Sequence, residues 1–176
     1  PLMLEAPRRV RQDRPGLAVA SAFSRPHLAE TARAIVADAF PDCAVLDGGV
    51  HGLMSAARAA LVCAGSATVE LACLDVPMAV LYRVTPHARL LSALLNRSPH
   101  IAMVNLLAGR RLVPEFLLWR DRPELLAKAV APLLGDGPAR QAQRRGLAGV
   151  RNALGGPGAS DRAAEIVLET AEKKRR

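Results

Sequence analysis

Aromatic residues are scarce in this chain of 176: three Phe, one Tyr and one Trp. Since 51% of the residues are hydrophobic by type, the core must be aliphatic, built from Leu, Val and Ala. So few rings also leave little on which to stack nucleobases, and no RNA-binding signature is present, so no nucleic-acid partner is expected. No uninterrupted apolar run reaches the length that spans a bilayer, and the opening "PLMLEAPRRVRQDRP" lacks a signal-peptide layout. Cysteine is limited to Cys43, Cys63 and Cys73, an odd count without metal-ligand spacing. All three sit in apolar stretches, which predicts buried, reduced thiols in a cytosolic protein. His27, His51, His87 and His100 form no i, i+4 pair and have no Cys at zinc spacing. Each therefore reads as a surface or loop histidine, and no metal is expected. The first residue is Pro rather than Met, which suggests a piece of something longer.

Lysine is the rare base: the 24 basic residues are 21 Arg and 3 Lys. Their placement is lopsided. Residues 1–88 hold 8 basic and 8 acidic residues, whereas residues 89–176 hold 16 and 8, so the whole net charge of +8 lies in the second half. That asymmetry fits a negative partner: a phosphate-bearing ligand, nucleic acid or an anionic membrane. A solvated, arginine-rich face is the plain alternative.

What the chain has in abundance is alternation. From residue 1 to about 113, short apolar runs alternate with helical patterns. "MLEAPRRVRQDR" reads as a helix in which Pro7 is awkward unless it falls near the first turn. "LAVASAF", "CAVLDG", "AALVCAG" and "PMAVLYR" read as strands, and "HIAMVNLLAG" as a strand running into a loop. "RPHLAETARAIVADAF", "HGLMSAAR", "SATVELACL" and "PHARLLSALLNR" read as helices. Such alternation predicts a parallel sheet covered on both faces. After "LVPEFLLW" three helical segments follow, broken at "GDGP" and "GGPG". The fold class is therefore α/β, a Rossmann-like parallel sheet flanked by helices with an all-helical C-terminal extension.

In an open parallel sheet, ligands sit at the carboxyl ends of the strands. That singles out the loops "SAFSRPH", "LDGGVHG", "CAGSAT", "YRVTPH" and "NLLAGRRLVPE". In "AGSATVE", Gly65 allows close backbone approach and Ser66 fits an N-cap, so the amides of Ala67 and Thr68 would point outward as an anion site. A reciprocal capping box needs Glu or Gln three residues after the cap, but that position is Val69. Glu70 lies one place further, so capping does not explain it. A ribose diol is a natural partner for such a carboxylate, and a helix-dipole residue is the simpler alternative. "LDGGVHG" lacks the G-x-G-x-x-G spacing, and Ser66 is not in a G-x-S-x-G elbow. In "NLLAGRRLVPE", Asn105 offers a two-sided amide, Arg110 and Arg111 offer phosphate forks, and Glu115 follows Pro114 at an expected helix first turn.

The order "AGSATVE", "PMAVLYR", "NLLAGRRLVPE" resembles the lipid-A-disaccharide synthase family, strongly over residues 55–120 and more weakly to about 170. Ser66 stands where the family pattern has Thr, Val104 where it has Pro, and Arg111 where it has Glu. The family's G-S-R phosphate motif is absent. The resemblance implies the C-terminal, donor-binding half of a GT-B glycosyltransferase. Residues 1–120 would be its Rossmann-like UDP-sugar domain, truncated at the N-terminus, and residues 121–176 its C-terminal helices. Such enzymes transfer 2,3-diacylglucosamine from UDP-2,3-diacylglucosamine to 2,3-diacylglucosamine 1-phosphate, with inversion and without a cofactor, at the cytoplasmic face of the inner membrane. The general base would lie in the missing N-terminal domain, leaving this half inactive alone. Gly65, Ser66, Ala67, Thr68, Glu70, Asn105, Arg110 and Glu115 would then bind the UDP-sugar, with Tyr82 and Arg83 as lesser candidates. The alternatives are a non-catalytic basic module for membrane or nucleic acid, and a GT-B domain for another UDP-sugar.

Overall fold

The computed structural model describes residues 2–23, 26–63, 65–88, 100–156 and 158–175. The chain opens with α1 (Leu2–Asp13), then β1 (Val19–Phe23), α2 (Pro26–Ala39), β2 (Cys43–Asp47) and α3 (Val50–Ala56). It continues through β3 (Ala60–Cys63), α4 (Ala67–Cys73), β4 (Met78–Arg83), α5 (Met103–Ala108) and β5 (Glu115–Leu118). The remainder is helical: α6 (Pro123–Val130) with a 3₁₀ turn at Ala131–Leu133, α7 (Pro138–Leu154) and α8 (Ala159–Arg175). Pro7 lies inside α1, in its second turn, where it removes one intrahelical hydrogen bond. The helix is held by packing instead, since Leu2, Ala6 and Val10 lie on one face and are buried.

Every strand pairing is parallel, as the alternation requires, but the strands form two separately hydrogen-bonded sheets, β1–β2 and β3–β4–β5. Of these strands β4 is the most enclosed, with its first four residues buried. Alternation along it divides the core. Met78 and Val80 join Leu71, Val104, Val113, Leu147 and Val150 under α4, α5 and α7. Leu81 points the other way, with Leu2, Ala6 and Leu126 of α1 and α6. Gln143, buried on α7, accepts the Met78 amide at 2.6 Å and so ties that helix to the start of β4.

Two segments differ from expectation. The stretch from His100 to Gly109 is no strand: it holds α5, whose Val104 and Asn105 are buried while Met103, Leu106 and Leu107 are exposed. Apolar residues on both faces conceal the helical period. Glu115 does not start a helix after Pro114 but opens β5, because Phe116, Leu117 and Leu118 pair with Leu81, Tyr82 and Arg83. The Arg110–Pro114 loop therefore enters a strand at its amino end instead of leaving one. Glu115 pairs with Val80, level with Val62, one rung below the end of β3.

The thiols are less enclosed than expected. Cys43 is buried, but Cys63 and Cys73 are exposed residues. The Cys63 thiol, 3.6 Å from Met3 Sδ, is still pushed above its ordinary value by partial burial. The expected helix "PHARLLSALLNR" is helical at 86–88, and its remainder, 89–97, lies outside the described residues. At the far end, α8 buries none of its described side chains, 159–173: Ile166, Val167 and Leu168 are about two-thirds exposed, at 65%, 66% and 64%.

Candidate functional site

The turn after β3 is built around Gly65. Its φ of 147° is a conformation that L side chains rarely adopt, and a Cβ placed there would meet nothing within 4 Å. The backbone thus faces open space at the carboxyl end of the sheet. Ser66 occupies the N-cap position of α4 but is already helical (φ −58°, ψ −30°) and makes no side-chain cap bond. Thr68, buried, closes the turn instead. Its amide and its hydroxyl both donate to the Gly65 carbonyl, at 3.2 and 2.9 Å. The Thr68 amide is therefore used inside the turn and does not point outward as expected. Gly65 and Ser66 are exposed, Ala67 is half-buried, and the amides of Val69 and Glu70 bond back to the Ser66 carbonyl.

Glu70 projects from the first turn of α4, and its Oε2 lies 3.0 Å from His51 Nε2. His51 lies in the first turn of α3, just after Gly48 and Gly49 turn the chain at φ 80° and 63° between β2 and that helix. The first turns of α3 and α4 thus meet through one side-chain pair.

A second group gathers between β4, β5 and α5. Asn105 is fully buried and completely engaged. Its Nδ2 donates to the Val113 carbonyl at 3.0 Å, and its Oδ1 accepts the amides of Leu112 and Val113 at 2.8 and 2.9 Å. The Glu115 carboxylate, also largely enclosed, accepts the amides of Ile101 and Ala102 at 3.1 and 2.7 Å and lies 3.3 Å from His100 Nδ1. Burial pushes the Glu115 pKa up, but the Ala102 and Ile101 amides, His100 and Asn105 together outweigh it, leaving it below the ordinary carboxylate value. The Tyr82 hydroxyl donates to the Ile101 carbonyl at 3.0 Å, and its pKa is raised by burial and by the charge on Glu115. His100 is a loop residue, as expected, but not a surface one.

Arg83 and Arg110 lie outside this group, and Arg111 meets it through backbone. Arg83 pairs with Asp121 at 2.7 Å, both exposed. Arg111 donates to the Glu115 carbonyl at 3.2 Å. Arg110 is exposed and runs beside α7, with Nη2 at 3.2 Å from where a Cβ on Gly146 would stand. The sequence pointed to Glu70, Asn105 and Glu115 but not to the partners that hold them: His51, 19 residues before Glu70, and the peptides at Ile101, Ala102 and Val113. Only the Gly48-Gly49 pair hinted that the chain turns sharply just before His51. Among the described residues no three or more His, Cys, Asp or Glu cluster as a metal site would require, and no helix is long and apolar enough to cross a membrane.

A family model described as lipid-A-disaccharide synthetase matches residues 8–169. The chain is 35% identical over 173 residues to a lipid-A-disaccharide synthase of Myxococcus xanthus, covering 96% of this chain and 44% of that protein. It is 34% identical over 183 residues to that of Geobacter metallireducens, covering 99% and 46%. To that of Anaeromyxobacter sp. strain K it is 42% identical over 124 residues, covering 70% and 32%. The matched part is thus less than half the length of each of these relatives. With one family model spanning nearly all of it, this chain belongs to the lipid-A-disaccharide synthetase family.

Proposed function

We propose that this chain is the donor-binding half of a glycosyltransferase that transfers 2,3-diacylglucosamine from its UDP derivative to 2,3-diacylglucosamine 1-phosphate, releasing UDP. The observation that carries this reading is the open turn at Gly65, with Glu70 five residues on at the carboxyl end of β3. In the proposed reaction the acceptor 6-hydroxyl attacks the anomeric carbon from the face opposite UDP, and the configuration inverts. The base that takes the hydroxyl proton would belong to the part of the enzyme that the longer relatives carry in addition.

As UDP leaves, charge builds on its diphosphate. Backbone at Gly65, Ser66 and Ala67 would approach the phosphates, with Arg110 and Arg83 supplying positive charge that is already in place. Glu70 would accept hydrogen bonds from the ribose hydroxyls. Tyr82, Asn105 and Glu115 serve the pocket indirectly in this reading, because their polar atoms engage the backbone that shapes it. Thr68 does the same through the Gly65 carbonyl. The net charge of +8 suits acylated, phosphorylated substrates drawn from an anionic membrane, so the enzyme would work at the cytoplasmic face of the inner membrane.

Calorimetric titration with UDP tests the site. Glu70→Ala should weaken binding, by about tenfold where the carboxylate is shielded and by less where it is wet. Equal affinities in two folded proteins would remove Glu70 from the site.

A further inference from the structure

We infer that His51 is a positioning residue for Glu70: it holds one carboxylate oxygen and leaves the other for a ribose diol. This rests on the reading that Glu70 meets the ribose of a uridine nucleotide. The geometry is a pair drawn from the first turns of two successive helices, α3 and α4, His51 Nε2 to Glu70 Oε2 at 3.0 Å. Each side is set by backbone. The turn before His51 needs φ of 80° and 63° at Gly48 and Gly49, and it is tied to the sheet by the Gly48 amide donating to the Phe23 carbonyl at 3.1 Å. The Leu53 amide, bonded to the Gly49 carbonyl at 2.9 Å, fixes the first turn of α3. Across from it, the Glu70 amide bonds to the Ser66 carbonyl at 3.0 Å. Oε1 of Glu70 has no part in the ion pair.

The energetics argue against a role in stability. His51 is 78% exposed and Glu70 37%. A pair this wet contributes little to folding. What it can do is restrict a flexible carboxylate before the ligand arrives. A Glu side chain gives up rotamer entropy when it is fixed, and a ligand that finds it already fixed does not bear that cost. Arg33 and Asp47, the ion pair at the end of β2, engage each other at 3.8 Å.

The test is titration of the chain with UDP and with its 2′,3′-dideoxy analogue, which lacks the diol. The unaltered chain should prefer UDP, and Glu70→Ala should lose the preference. His51→Ala should weaken UDP binding by about three- to tenfold and leave the dideoxy analogue unchanged. His51→Gln, which keeps an N–H donor, should recover part of the loss. The exposure of His51 makes misfolding no obstacle. If Glu70→Ala abolishes the preference and His51→Ala keeps it whole, the positioning role is wrong while the ribose reading stands. A His51→Ala loss shared equally by both nucleotides overturns it too. If the unaltered chain makes no distinction, or Glu70→Ala keeps it, the ribose reading falls and takes the positioning role with it.

Discussion

The side-chain amide of Asn105 pairs with both backbone polar groups of Val113, giving Nδ2–H to its carbonyl and taking its N–H at Oδ1. A side chain here does what a neighbouring strand would do, and fixes the approach to β5. Truncation would leave the amides of Leu112 and Val113 and a carbonyl unpaired, those of Val113 in a buried place. Asn105→Ala should therefore cost about 3 kcal/mol of stability. Asn105→Asp, nearly the same shape, should do no better, because it sets an oxygen against the Val113 carbonyl. Denaturant unfolding of the three proteins measures both.

Glu115 makes the fold acid-sensitive. Its folded pKa lies below its ordinary value, so its contribution is present above the unfolded carboxylate value and is lost as pH falls through the folded one. Protonation leaves the Ile101 and Ala102 amides with a poorer acceptor. Glu115→Gln should be less stable at neutral pH and lose less on acidification. Parallel acid limbs in the two proteins, from thermal melts at pH 7 down to 3, would contradict this.

Gly146 leaves room for Leu112. A Cβ at that position would stand 2.0 Å from Leu112 Cδ1, the far end of a side chain that can shift. Alanine gains about 1 kcal/mol of helix propensity over glycine, against an overpacking cost of about 1–3 kcal/mol. Gly146→Ala should therefore destabilise the chain, yet stabilise it in a Leu112→Ala background. That change of sign, read from melting temperatures, is the check.

The surplus of positive charge should draw the chain to anionic vesicles and not to neutral ones, with binding that weakens as salt shortens the electrostatic reach. Co-sedimentation at low and high salt decides the point. Binding indifferent to lipid charge and salt would contradict the electrostatic account.

The strands from β1 to β4 were legible because short apolar runs between turn residues leave few other choices. Between His100 and Glu115 the sequence misleads, for two physical reasons. Met103, Leu106 and Leu107 give α5 an apolar outer face, so polarity does not mark its period. The helix-starting sense of Pro114-Glu115 is local, and pairing with β4 overrides it. In the site, residue chemistry was legible and its direction was not. Asn105 reads as a two-sided amide from sequence, but nothing there says that three backbone groups would claim it. The pairing of His51 with Glu70 depends on where α3 and α4 begin relative to each other, which neither segment encodes by itself.

The enclosure of β4 has a consequence for how the chain opens. Its amides are paired on both sides, beneath helices on both faces, and they should exchange with deuterium last. The β1–β2 pair rests on a smaller cluster whose buried members, among the described residues, are Val36, Phe40 and Cys43, so that region should exchange through partial openings that leave β3, β4 and β5 intact. The Gly48–His51 turn belongs to this looser part and Glu70 to the firmer one. His51 and Glu70 therefore meet across a boundary between regions of different lifetime, and deuterium labelling should show the Gly48–His51 turn opening while α4 stays protected.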